Sequence, residues 1–381
     1  MKLLQRQWTV KDGWRTLRDD LAGRYAKVQL VLIFGASDLL KSVDLYKNVY
    51  DEFPNAIVTG CSTAGDICGD EVGDNSLVCT AIEFEHSRVK AKHIFMDKYP
   101  GLSIEQVTRE MVDELLAPDL VHLLVLAGGD DINASDVVAG LRKQAPKKVG
   151  VSGALAADAF RFHDACVIAD VMACENTISV IAFYGKGLKV MTSLKAGWFE
   201  FGGEKTITKS DKNIMYQLDK GPALPFFELY LGDSINKVPA SSFQYPISLR
   251  SKHTDDWLTR SIVKVDRSKS ALHFAGDVPV GYRMRLMKTD TEHLVESAAR
   301  ATVNMLRRSF YPDFALIVSC FGRKGLMGKD SYKEVKAVRA GFGDHTLMTG
   351  FYACGEIGAL DSSNPCQLHN QTLAITAFLE I

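Results

Sequence analysis

The run Val28-Gln29-Leu30-Val31-Leu32-Ile33-Phe34-Gly35 is short, rich in branched apolar residues and stopped by glycine. Those features predict a strand buried on both faces rather than a helix. Two later runs share the form, Val121-His122-Leu123-Leu124-Val125-Leu126-Ala127-Gly128 and Phe314-Ala315-Leu316-Ile317-Val318-Ser319-Cys320. Self-similarity of this kind signals a repeated unit. An amphipathic pattern predicts a helix before each run, over 12–26, 103–117 and 291–308. Ser103 and Gln106 open the second of these with capping-box spacing.

After each run comes a glycine-rich turn with a second strand, over 56–67, 148–154 and 347–357. The first and third align without a gap: Gly60-Cys61-Ser62-Thr63-Ala64-Gly65-Asp66-Ile67 and Gly350-Phe351-Tyr352-Ala353-Cys354-Gly355-Glu356-Ile357. A third strand closes each unit, over 76–85, 176–184 and 371–380. The expected fold class is α/β, with repeated β-α-β-β modules forming mixed sheets covered by helices in two pseudo-symmetric domains. Residues 1–219 hold two modules, 11–100 and 101–198, and residues 220–381 form the second domain. The stretch 197–287 breaks the pattern and reads as short strands, with one helix near 222–231.

The 381 residues are 46% hydrophobic and 24% charged, an ordinary balance for a chain of two or three globular domains. A formal net charge of -1 argues against a charge-driven nucleic-acid surface. The first residues carry no apolar signal core, and the apolar runs fall well short of the roughly 20 residues that span a bilayer. A cytoplasmic protein without membrane contact is expected, its oligomeric state open. The eight cysteines are scattered without a Cys-x-x-Cys pair, as buried thiols of a reducing compartment are.

Familiar catalytic motifs fail. Two residues, not one, separate Ser62 from the next glycine, so the turn is no nucleophile elbow. Cys61 has no base marked in sequence. Arg323 stands where a phosphate loop needs its first glycine, and Asp330 follows Lys329 where Ser or Thr is required. Gly128-Gly129-Asp130-Asp131 reads either as a cation or amine site or as a turn with a helix cap. No enzyme is expected. The glycine loops let backbone approach a ligand, and they nominate Cys61, Ser62, Thr63, Asp66, Tyr352 and Glu356 around one cavity; the alternative is that the glycines make tight corners.

The segment 60–67 resembles the signature of the FIST N domain, and 350–357 is similar to the matching FIST C motif. Gly197-Trp198-Phe199-Glu200-Phe201-Gly202, Phe274-Ala275-Gly276-Asp277-Val278-Pro279 and Leu368-His369-Asn370-Gln371-Thr372 extend the resemblance over nearly the whole chain. It implies a sensory, signal-transducing module for small ligands. The chain looks closest to the nitric-oxide-sensing branch, described as binding haem and regulating histidine kinases or cyclic-di-GMP enzymes. It departs from the usual pattern at Ala353-Cys354, where Ser-Tyr is expected, and at Ala154-Leu155-Ala156-Ala157-Asp158. On that resemblance His369 is the expected axial ligand of haem b, with Asn370 orienting its ring or a bound ligand. His163 is an alternative ligand, as are the Cys354 and Cys366 thiolates, and His122 is expected in the core. Rival expectations are a haem-free amino-acid or metabolite sensor and a ligand-free scaffold.

Overall fold

The computed structural model describes all residues except 130, 160, 162, 163, 171, 239, 252–256 and 361–364, and leaves aside the side chains of 43, 44, 46, 47, 240 and 242. Asp130 and His163, both nominated above, lie outside the described residues.

The three buried runs form strands Leu30–Gly35, Leu120–Gly128 and Phe314–Cys320. Each is paired in parallel with a second strand, Ile57–Ser62, Gly150–Leu155 or Leu347–Ala353. Each is paired antiparallel with a third, Ser76–Glu83, Thr177–Tyr184 or Leu373–Glu380. Helices cross between first and second strands, as a parallel connection requires: Val43–Glu52, Ala134–Gln144, and the pair Phe321–Met327 and Tyr332–Phe342.

Alternate residues of each first strand face opposite ways, following the two-residue period of a strand. Leu32 and Phe34 join Leu124, Leu126, Leu316 and Val318 in one core shared by all three modules. Val31 and Ile33, Leu123 and Val125, and Ala315 and Ile317 face three separate outer cores under their own helices. The result is a three-sided prism of sheets with helices outside. Phe34 of the first module stacks on Phe351 of the third, ring centroids 4.5 Å apart.

The modules interlock by exchange. The hairpin of Asp66–Cys68 and Glu71–Gly73 pairs with Leu347–Ala353 of the third module. The hairpin of Val167–Ala169 and Met172–Cys174 pairs with Ile57–Ser62 of the first. Gly355–Gly358 with Gln367–His369 pairs with Gly150–Leu155 of the second. At the other edge, Arg88–Phe95 pairs with the second module's third strand and Leu188–Lys195 with the third module's. Lys2–Thr9 fills the equivalent place in the first.

An inserted domain, starting with the strand Phe199–Asp211 and ending with Arg283–Lys288, has its own core around Phe227, Phe274 and Leu286. Its sheet is antiparallel, as short strands joined by turns allow, and it carries the expected helix at Ala223–Leu231.

Two of the three expected leading helices are present, Ile104–Leu115 with its Ser103/Gln106 capping box and Thr291–Leu306. The third is not. Gly13–Asp19 is an edge strand paired with Lys2–Thr9, Trp14 opposite Trp8, and only a short 3₁₀ turn follows at Tyr25–Lys27. Gly13, at φ +65°, makes the left-handed corner of that hairpin. The segment 350–357 is likewise not a loop but two strands with Cys354 between them.

Gly60, Gly153 and Gly350 stand opposite Ile33, Val125 and Ile317 in the three parallel pairs. A Cβ at any of them would overlap the carbonyl oxygen of that partner. Backbone cannot yield there without opening the sheet. Gly350→Ala is therefore expected to cost about 3 kcal/mol or more. Gly203→Ala, where a Cβ meets nothing within 4 Å, is expected to cost less than about 0.5 kcal/mol. Urea unfolding of both variants checks the contrast.

Candidate functional site

The three second strands meet at one end of the prism. Ser62, Leu155 and Tyr352 each stand two places after the matched glycine, and Ala64, Ala157 and Cys354 four places after it. Their backbones close a ring. The Ala157 N–H donates to the Ser62 carbonyl (3.0 Å), Cys354 N–H to Leu155 (3.1 Å) and Ala64 N–H to Tyr352 (2.9 Å). The nominated corners 60–67 and 350–357 are thereby joined directly, with Tyr352 N–H also donating to the Gly65 carbonyl at 2.8 Å.

The two matched acids are held in matching ways. The Ser76 hydroxyl donates to Asp66 (2.5 Å), and the Thr372 N–H and hydroxyl donate to one oxygen of Glu356 (3.0 and 2.7 Å). Ser76 and Thr372 each follow a left-handed residue, Asn75 (φ +53°) or Gln371 (φ +62°), with Ser76 opening its third strand and Thr372 immediately preceding its own. Burial pushes the Asp66 carboxyl up to about 7, against the Ser76 hydrogen bond and the Lys324 ammonium. Burial likewise lifts Glu356 to about 8, against its Thr372 bonds. In the second module Val167 takes the acid's place, opposite Cys61 as Asp66 is opposite Phe351.

A cavity of about 260 Å³ opens between the first and second modules. Thr63, Ala64, Gly65 and Asp66 form one wall, and Asp158 and Arg161 another. Asp158 is 1% exposed; one of its oxygens accepts from Ser37 Oγ and Arg161 Nη2, both at 2.5 Å. The other oxygen of Asp158 and one oxygen of Asp66 are buried without a hydrogen-bond partner among the described residues. Lys324 reaches the same corner from the third module, donating to the Ala64 carbonyl (2.8 Å) and to Asp74.

The other nominated residues are placed as follows. Cys61 is fully buried and burial raises its thiol well above the usual range, while Ser62 Oγ accepts from Cys166 N–H. Neither is presented to a substrate. Thr63 Oγ1 accepts from Gly65 N–H (3.2 Å) and Tyr352 is buried with its hydroxyl on the Ser331 carbonyl (3.2 Å). Asn370 Nδ2 donates to the Cys354 carbonyl (3.4 Å). The corners do not surround one shared cavity: Asp66 lines the first, whereas Cys354 lines another beneath the inserted domain. The helix Ala134–Gln144, which follows 128–131, is capped by Asn133, whose Oδ1 accepts from Ser135 N–H. His122 is a core residue bonded to Ser152 Oγ (2.8 Å).

His369 is 1% exposed in the strand beside Glu356. Burial drives its imidazole down to about 3, the Arg260 guanidinium adding to the effect, and neither ring nitrogen has a hydrogen-bond partner among the described residues. It lines neither of these two cavities. A haem ligand needs a large apolar slot at its free nitrogen, and these surroundings do not fit that group. Arg161 and Asp38, the polar rim of the first cavity, escaped the sequence reading. Asp158 stands five places after Gly153, where Asp66 and Glu356 stand six places after Gly60 and Gly350, so the shared spacing did not single it out.

A cavity lined by buried acids lies at the junction of the interlocked modules, a place where ligand pockets commonly form. The FIST N domain matches residues 29–220 and the FIST C domain residues 223–359. The chain belongs to the FIST family, whose domains are sensory rather than catalytic and bind small ligands. No curated protein matches it. Among solved structures, cyanuric acid hydrolase from A. caulinodans is similar at 7% identity and TM-score 0.35, with 98% of this chain and 99% of that chain covered. No helix among the described residues is long and apolar enough to cross a membrane.

The raised carboxyls set a pH dependence. Glu356 keeps its proton in the folded chain up to about pH 8 but loses it near pH 4 when unfolded. In that window the folded state binds more protons, so this group's contribution to stability falls as pH rises and levels off above the folded value. Glu356→Gln is expected to gain a few kcal/mol on the parent between pH 5 and 9, read from urea midpoints; parallel curves would contradict it.

Proposed function

We propose that the chain is a sensor whose ligand carries an ammonium or equivalent hydrogen-bond-donating group, held by Asp66 and Asp158 in the cavity between the first and second modules. One observation carries the reading: Asp66 and Asp158, both lining that cavity, each keep one buried carboxyl oxygen without a partner among the described residues. A buried acceptor left unmet costs about 1–3 kcal/mol, which a donor on the ligand recovers. Arg161, 44% exposed at the rim, supplies a guanidinium fork for an anionic end of the same ligand. Among the described residues no three His, Cys, Asp or Glu side chains are grouped to hold a metal ion, and an organic amine is therefore the preferred class.

The ligand's cation competes with Lys324 for the same corner, so its arrival is felt on the third module's helix Phe321–Met327. It biases two states only through its differential affinity for them. A histidine kinase or a cyclic-di-GMP enzyme in the cytoplasm as the reader of that change belongs to the proposal on the family likeness alone. Haem has no place in it, given the packing around His369.

Thermal-shift and calorimetric titration with the standard amino acids and a panel of primary amines tests the reading. A specific amine is expected to raise the melting temperature by mass action, and Asp158→Asn to weaken it about tenfold or more. A flat response across the panel, or equal affinity in the variant, contradicts it.

A further inference from the structure

The candidate cavity has a counterpart one module away. Ala36 and Ala64 of the first module occupy the places of Cys320 and Cys354 in the third, as the parallel registers of Gly60 with Ile33 and Gly350 with Ile317 show. Both pairs line cavities. Ala36 and Ala64 line the one already described, and Cys320 and Cys354 line a second of about 70 Å³.

The backbone corner is the same and the chemistry is inverted. Gly322 stands in the place of Asp38 and Ala353 in that of Thr63. The facing wall, supplied by Asp158 and Arg161 in the first cavity, comes here from the inserted domain as Phe243, Ile262, Val263 and Ala275. The hydroxyl in that wall, Ser261 Oγ, already accepts from Gln371 Nε2 at 3.0 Å.

We infer that this second cavity binds a small, uncharged, largely apolar molecule between the inserted domain and the third module. Its volume exceeds the roughly 10–15 Å³ that one water needs, while its walls give water few partners; apolar cavities of this kind stay dry and admit apolar guests. The roof is fixed by directional contacts. Phe243 meets Phe321 edge to face, centroids 5.0 Å apart. Buried Arg260 donates to the carbonyls of Leu368 (2.8 Å), Thr259 (3.0 Å) and Asp277 (3.1 Å), tying the inserted domain to the hairpin of the third module. Surroundings held this way relax only partly into a void. Because roof and floor belong to different units, a guest here sets how firmly the inserted domain sits on the prism.

The experiment uses the full chain, methyl-labelled at isoleucine and valine, titrated with xenon under pressure and separately with propan-1-ol. Saturable shifts centred on the methyl groups of Ile262 and Val263 are expected with at least one probe. Ala275→Leu, which fills the space, is expected to weaken them about tenfold or more; Cys354→Leu serves in its place if that variant does not fold. Asp158→Asn leaves the shifts unchanged, which separates this site from the amine site. Absence of saturable shifts at both residues, or undiminished affinity in a filled and folded variant, overturns the inference.

Discussion

Three backbone hydrogen bonds, Ala64 to Tyr352, Ala157 to Ser62 and Cys354 to Leu155, close a ring through the three modules. Each is worth only about 1 kcal/mol net. Their weight lies in what they index: every second strand ends against the next module, and every module lends its hairpin to a neighbour's sheet. Removing one module would strip the shared core of a third of its wall and leave two sheet edges unpaired, a costly and sticky state. The FIST N and FIST C regions are thus two stretches of one interlocked body.

A ring of matched corners allows unmatched chemistry. Backbone geometry is repeated because glycine is needed wherever a second strand passes close to a first. Side chains at those corners are free to diverge. Between the first and second modules they are acidic and face a polar cavity, and beneath the inserted domain they are thiols and apolar groups. The acid at the corner is Asp66 in one module and Glu356 in another, and in the second module its place is taken by Val167. That divergence gives one scaffold two cavities of opposite character.

Much of the fold was legible along the chain because strands buried on both faces leave uninterrupted apolar runs. Residues 30–35, 120–128 and 314–320 show this, and the helix at Ile104–Leu115 announced itself by its capping box. Gly13–Asp19 was misread as helix because an exposed edge strand has no apolar alternation to display; its Trp14 and Leu17 face outward. The exchanged hairpins were invisible for another reason. Gly350 pairs with Ile67 across most of the chain, and no local pattern encodes a partner so distant. At the site, Asp66 and Glu356 were legible through their shared spacing from glycine. Arg161 was not, since its role depends on Ser37 of the first module being carried to it and to its chain neighbour Asp158. His369 stood out by family motif alone, and strand pairing beside Glu356 buries it.

The claim that the modules form one cooperative body is tested most directly by native-state hydrogen exchange at the amides of Ala64, Ala157 and Cys354. All three should exchange only through the global unfolding event, with the same opening free energy and the same dependence on added denaturant. An amide among them that exchanges through a much smaller local opening, while the other two stay protected, would mean that the ring is open in solution and that the cavities it frames are not held by it.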